Sequence, residues 1–447
     1  MSESEAKCMN DGLSKSRFCL GLQCPKMLWM EKYAEDRGRE IDNSLIFENG
    51  HRVGALAQSW YGDYVEVELD RDNKPKMIAE TEEYLKEGHV NICEASFGYD
   101  GLFCMVDILH KNEDGSFDMI EVKSATYRKE INLWDIAFQY YVLKKSGLNL
   151  RKAYCMYINK EYELHGALDK KAFFALENCT DSAITLQGDV IKKIEKVREI
   201  LLSETEPDID LGSQCFNPYE CRFIDYCYGN EDTDAPDPND ITSINNPNRE
   251  TVRSFTEKLS YPLAFLRIET YNNPIPTFEG MRPYKPIPFR YTLLIQRESG
   301  GEIEFREYMP EIEEGVRPDS RRGLAESLCE DIPEDACIVT CARGSEWYDR
   351  DVEARTINNL AWSFRDLKRS LDSIKDRCID LSDAFGEGCY YVPGPVSEDK
   401  KEVETAFIYL HEKPENERAE IINLWTEHGR QSVETLFNVT ETLLDRE

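Results

Sequence analysis

Two stretches of alternating character lie close together in the first third of the chain. Phe-Cys-Met-Val-Asp-Ile-Leu (103–109) and Phe-Asp-Met-Ile-Glu-Val-Lys (117–123) carry apolar and polar side chains on the two-residue period of a strand. The Asn-Glu-Asp-Gly-Ser between them holds turn-forming residues, so the pair predicts a hairpin. Residues 14–35 predict a helix, with Phe18, Leu22, Leu28 and Trp29 on its apolar side and Ser14 or Ser16 as cap. Pro25 interrupts it just after Cys24, which places that cysteine at a helix break. His51, in Asn-Gly-His-Arg-Val-Gly-Ala-Leu-Ala, falls on a second helix. Helices over 131–145 and 187–203 and a strand at 152–158 complete a mixed pattern, and the pattern predicts an α/β fold.

Residues 229–250 are rich in Asp, Asn and Pro and lack apolar periodicity, which predicts a linker. It would separate a domain at 1–228 from one at 251–447, which opens with the strand-like Tyr-Pro-Leu-Ala-Phe-Leu-Arg-Ile-Glu-Thr (261–270). A length of 447 residues suits two domains, and an apolar fraction of 41% suffices for packed cores. No 18-residue apolar window occurs, and Met-Ser-Glu-Ser-Glu-Ala-Lys lacks the regions of a signal peptide, so the expectation is a cytoplasmic protein with no membrane partner. Fifteen cysteines, an odd number, then point to thiols and metal ligands rather than disulfides. The net charge of −32 seems to oppose nucleic-acid binding; such a protein needs a local basic strip or a partner.

The chemistry gathers in the predicted hairpin. Alternation puts Glu121 and Lys123 on one face of their strand, and Asp107 on the neighbouring strand can share a metal with Glu121. Phosphodiester hydrolysis needs this set: carboxylates for Mg²⁺ or Mn²⁺, an activated water, and positive charge near the developing oxyanion. Lys123 is placed to orient the water or stabilise that charge. Asp135 and Gln139 are spaced i, i+4 and can face the same groove, while His51 could add a nitrogen ligand that favours manganese. The plainer alternative is a solvated strand face, an ordinary helix and a surface histidine.

Cys24 and, about 190 residues on, Cys215, Cys221 and Cys227 form a one-plus-three set. Thiols with five residues between them converge only from an irregular loop, and the cost of closing the long loop grows slowly with its length. Four thiolates suit a 4Fe–4S cluster or Zn²⁺; the Cys-x₂-Cys pairs of zinc ribbons are absent, which favours iron–sulfur. The remaining eleven cysteines read as core thiols, with Cys8 and Cys19 next in line for the remote position.

Residues 13–228 resemble the PD-(D/E)XK nuclease superfamily, in its RecB-like iron–sulfur branch, which includes the CRISPR-adaptation exonucleases and AddB-type helicase–nuclease subunits. Also similar is a family of uncharacterised prokaryotic proteins that join such a nuclease to a C-terminal ribonuclease-H-like exonuclease domain. The matching stretches are Leu-Ser-Lys-Ser-Arg-Phe-Cys-Leu-Gly-Leu-Gln-Cys-Pro-Lys (13–26), Asn-Gly-His-Arg-Val-Gly (49–54), Glu-Ala-Ser-Phe (94–97), Val-Asp-Ile-Leu (106–109), Glu-Val-Lys-Ser-Ala (121–125) and Asp-Ile-Ala-Phe-Gln-Tyr-Tyr-Val-Leu (135–143). The resemblance implies a restriction-endonuclease-like core with metal on His51, Asp107 and Glu121. It implies that Lys123 assists catalysis, that Gln139 belongs to the trailing motif, and that Cys24, Cys215, Cys221 and Cys227 hold 4Fe–4S. The implied function is a metal-dependent DNA nuclease acting on single-stranded ends or flaps. Two departures are the five-and-five spacing of the late cysteines and Leu143 where a tyrosine is expected, with Tyr140 or Tyr141 as substitutes.

The C-terminal half departs further. Arg267 stands where the first aspartate of an Asp-x-Glu belongs, Glu269 keeps the second acid, Asp380 is a remnant, and 427–434 offers no aspartate. A guanidinium repels the ion that the position should bind. The expectation is a ribonuclease-H-like α/β domain without exonuclease activity, serving as a scaffold or a docking surface for a protein partner. Two other classes remain open: a noncatalytic nucleic-acid- or protein-binding module descended from a nuclease, and a zinc-clasped structural protein.

Overall fold

The structure, a computed structural model, describes residues 12–41, 43–229, 249–341, 352–385 and 407–445. The expected linker therefore lies almost wholly outside the described residues, as do Cys8 and Cys389. The chain divides into two compact units, Met1–Glu231 with Pro274–Pro283, and Asp232–Asn273 with Tyr284–Glu447.

The first unit begins with β1 (Leu13–Ser14) and α1 (Lys15–Gln23). Ser14 caps α1, its Oγ accepting from the Arg17 N–H at 3.3 Å. Cys24 takes an extended conformation, and Pro25 opens α2 (Pro25–Tyr33) at a position where a missing N–H costs nothing. The single helix predicted over 14–35 is thus two helices hinged at Cys24. His51 lies on α3 (Ser44–Gln58). There follow β2 (Val65–Glu66), α4 (Lys74–Glu87), β3 (Asn91–Tyr99), β4 (Leu102–Lys111), β5 (Phe117–Lys123), α5 (Glu130–Lys145), β6 (Leu150–Ile158), β7 (Phe174–Asn178) and α6 (Gln187–Leu202).

The sheet runs β2-β3-β4-β5-β6-β7, with β1 alongside β4. The β4–β5 hairpin is antiparallel, whereas β5 and β6 are parallel, joined by the crossover helix α5. That helix buries Ile136, Ala137, Phe138, Val142 and Leu143 against the sheet, and Phe138 stacks on Phe18 of α1 with ring centroids 4.8 Å apart. Leu143 is therefore a core residue. Tyr140 is buried beside it and Tyr141 meets Tyr99 edge-on.

The second unit has its own core. Its strands are β8 (Leu263–Tyr271), β9 (Ile287–Gln296), β10 (Ile303–Tyr308), β11 (Cys337–Thr340) and β12 (Cys378–Asp380), ordered β10-β9-β8-β11-β12. β9 runs antiparallel to both β8 and β10; β11 runs parallel to both β8 and β12. Both units are therefore α/β with mixed sheets. Among the described residues no helix is long and apolar enough to cross a membrane.

Candidate active site

The β4–β5 ladder ends one residue short of the acids. Pairing runs from Lys111↔Phe117 to Ile108↔Ile120 and stops. A further step would set Asp107 against Glu121; instead Asp107 Oδ2 accepts the Val122 N–H at 2.6 Å, and the strands part. On the other side of β4, Cys93 pairs with Ile108 and Ala95 with Val106, which leaves Glu94 level with Asp107 and outside the ladder. Glu94 has a φ of 54°, a left-handed conformation rare for a non-glycine residue. Three carboxylates thus meet where the sheet's own pairing lapses.

Helices supply the rest. Lys123 Nζ donates to Glu121 Oε1 at 2.7 Å and to Asp135 Oδ2 at 2.8 Å, tying β5 to α5. Gln139 Nε2 donates to Glu121 Oε2 at 2.7 Å and to Asp135 Oδ1 at 2.9 Å. Lys15, the first residue of α1, donates to both oxygens of Glu121, at 2.8 and 3.0 Å. His51 is exposed on α3 and lines a cleft of about 470 Å³ with Glu94, Asp107, Lys123, Glu66 and the glycines Gly50 and Gly54. The structure brings His51, Asp107, Glu121, Lys123 and Gln139 into one neighbourhood. It adds two residues that sequence reasoning left without a role, Lys15 and Glu94. Neither Tyr140 nor Tyr141 hydrogen-bonds to this cluster among the described residues.

The electrostatics follow from burial. Glu121 is 1% exposed, and its carboxyl is pushed up to about 7, first by burial and then by Asp107 and Asp135. Burial opposes ionisation of Asp135 too, but Lys123 and Lys15 overcome it and hold that carboxyl well below its usual range. The same acids hold both lysines charged against the desolvation that would neutralise them. Glu94 is pushed up to about 8, by burial first and by Asp107 next.

At the far end of α1, Cys24, Cys215, Cys221 and Cys227 line one cavity. The first three are buried and the fourth half-buried, and all are free thiols. Cys215 closes a 3₁₀ turn (Ser213–Cys215), Cys221 lies in the following loop, and Cys227 is on α7 (Ile224–Tyr228). Gln23 fastens the loop by donating to the carbonyls of Gln214 and Tyr219, at 2.9 and 2.6 Å. Burial pushes the Cys221 thiol up to about 11, and the other three sulfurs add to the effect. A thiolate in such a place needs a metal's positive charge. Among the described residues no group of three or more His, Cys, Asp or Glu closes around a single metal ion. Four thiols lining one cavity are a donor set that either an iron–sulfur cluster or zinc takes. Cys19 faces Asp135 and Lys123, on the active-site side of α1.

A family model described as a domain of unknown function (DUF2779) matches residues 264–396, less than a third of the chain. No curated protein matches. Eight solved chains do, among them one described as "Crystal structure of SSO0001", with 12% identity and a TM-score of 0.21 over 40% of this chain and 75% of that one.

The matched region opens on β8. Arg267 is 3% exposed and faces Glu353, itself 1% exposed, at 3.8 Å; its Nη1 also donates to the Cys341 carbonyl at 3.5 Å. Glu269 stands 3.9 Å from the buried Arg290. Burial pushes both glutamates up, against the pull of those arginines. Asp380, at the end of β12, turns a side-chain oxygen onto the Ser382 N–H at 2.9 Å.

Proposed function

We infer that this protein is a metal-dependent deoxyribonuclease of the RecB-like PD-(D/E)XK kind, with a structural 4Fe–4S cluster on Cys24, Cys215, Cys221 and Cys227. The observation that carries the reading is the fork between β4 and β5, where Asp107 and Lys123 line a cleft and Lys123 is bonded to the buried Glu121 and to Asp135. The substrate would be DNA, at single-stranded ends or flaps.

Held by Asp107 and Glu121 with His51 beside them, Mg²⁺ or Mn²⁺ would supply an activated water and charge for the departing oxyanion. The chain's own groups do the positioning. The Val122 N–H fixes the Asp107 carboxylate. Lys123, anchored at two acids, holds a fixed positive charge at the edge of the cleft and can orient the attacking water. Glu94 lines the same cleft, and in the metal-free chain burial and Asp107 favour its protonated form. The second unit fits a ribonuclease-H-like fold that has lost its chemistry, since Arg267 fills the position of a metal-binding acid. Its role would be a docking surface for a protein partner.

A second reading has an observation in its favour. Both oxygens of Glu121 are occupied by lysines and Gln139, as in a nuclease descendant that binds without cutting. Anaerobic purification with iron and sulfide quantification, followed by a Mn²⁺-dependent assay on labelled single- and double-stranded DNA, separates the two. The nuclease reading expects about four irons per chain. It also expects cleavage that falls at least about 1000-fold in Asp107→Ala. A wild-type chain that carries its cluster and cuts neither DNA supports the binding module. A colourless zinc protein supports the structural one.

A further inference from the structure

The acid that should meet the metal is fully engaged. Glu121 Oε1 accepts from Lys15 at 2.8 Å and from Lys123 at 2.7 Å; Oε2 accepts from Lys15 at 3.0 Å and from Gln139 at 2.7 Å. A divalent ion at this buried carboxylate has to take the place of one of these donors. Two of them are locked. Lys123 is also bonded to Asp135 at 2.8 Å, and Gln139 is bonded to Asp135 at 2.9 Å and fully buried.

Lys15 is held less tightly, since its second acid is an ion-pair partner without a hydrogen bond. Asp135 is 3.9 Å away, and the Lys15 side chain retains 22% exposure. It also has somewhere to go. Lys15 borders a groove of about 1120 Å³ that shares His51, Glu66 and Glu94 with the cleft. The groove's other cations are Arg17, Arg71 and Lys74. Arg17 and Arg71 are exposed and form no ion pair among the described residues, while the groove's Glu68 is neutralised by Lys76 at 2.9 Å. With four cations against Glu66, Glu68 and Glu94, the groove departs locally from the net charge of −32, as binding a phosphate backbone requires.

We propose that Lys15 is a movable counter-ion: the divalent metal displaces it from Glu121, and it turns into the groove to bind a backbone phosphate of the polynucleotide. This deepens the nuclease reading and rests on it. An ammonium and a dication on one carboxylate repel each other, so each bound metal releases Lys15. Each bound phosphate in turn draws Lys15 off Glu121 and opens the carboxylate to metal. Metal and substrate therefore strengthen each other's binding by the same factor.

The test is Mn²⁺ affinity of the full chain, read from the electron paramagnetic resonance of free Mn²⁺, with and without a hydrolysis-resistant phosphorothioate oligonucleotide. In the wild type the oligonucleotide should tighten Mn²⁺ binding by roughly 5- to 50-fold. Lys15→Gln should bind Mn²⁺ about tenfold more tightly without DNA and gain less than about twofold from it. Lys15→Met, which keeps the apolar stem, should behave alike and stands in should Lys15→Gln fold poorly. Variants with wild-type Mn²⁺ affinity and undiminished coupling overturn the proposal while leaving the nuclease reading in place. A wild-type chain that binds no Mn²⁺ overturns both.

Discussion

Glu94 occupies a left-handed backbone position in β3, level with Asp107, and burial with its acidic neighbours pushes its carboxyl up to about 8. Its ordinary value is near 4.5, so between roughly pH 4.5 and 8 the folded chain keeps a proton that the unfolded chain has lost. Stability of the metal-free protein should therefore fall as pH rises through that window. Glu94→Gln removes the penalty: denaturant unfolding in EDTA should show a gain on the order of 2 kcal/mol at pH 8 and little at pH 5. An equal gain at both values would mean that Glu94 is not held neutral. Glu94 and Lys15 also mark what single residues conceal in a sequence. Glu121, Lys123 and Asp107 stand out because a hairpin's alternation aligns them, and Asp135 with Gln139 because of helical spacing. Glu94 comes from a strand buried on both faces, Asn-Ile-Cys-Glu-Ala-Ser-Phe, where nothing alternates to single it out. Lys15 reads as a solvated residue near a cap, and its partner is 106 residues away.

At the scale of elements, α1 connects the two candidate centres. Its first residue reaches Glu121, and its C-terminal end delivers Cys24 to the sulfur cavity. The break at Cys24 was legible, because Pro25 ends one helix and starts another. The β4–β5 hairpin was legible from its turn and alternation, but not the fork at its open end, which depends on where pairing stops in three dimensions. Loop 203–223 has no periodic pattern, and side chains from α1 and α2 hold it. Gln23 bonds two of its carbonyls, Trp29 Nε1 donates to the Ser203 carbonyl at 3.0 Å, and Lys26 pairs with Glu206 at 2.7 Å. Such contacts are too few to order a long loop alone. Cys221→Ser should therefore abolish iron and sulfide, lower the melting temperature by roughly 10 °C and expose this loop to protease. Cys19→Ser, on the opposite side of α1, should keep its iron. Full iron in Cys221→Ser would remove this cysteine from the cluster.

For the molecule as a whole, the nuclease reading must say which unit would do the cutting, since each carries buried acids beside cations. The contrast lies in what the cations leave open. In the first unit Glu94 and Asp107 border an open cleft shared with His51, and Lys15 borders the adjoining groove. In the second unit Arg267 is 3% exposed and Arg290 2%, each against a glutamate. A buried guanidinium stays charged and has no solvent to move into, so a dication at Glu269 or Glu353 would face an uncompensated neighbour. Burial pushes the Glu269 carboxyl up toward protonation, and glutamine copies the shape of the protonated acid. Glu269→Gln in the full chain should therefore retain the wild-type Mn²⁺-dependent cleavage rate within about twofold, whereas Asp107→Ala loses it. Degradation that survives Asp107→Ala and disappears in Glu269→Gln would move the active site to the second unit and reverse the assignment.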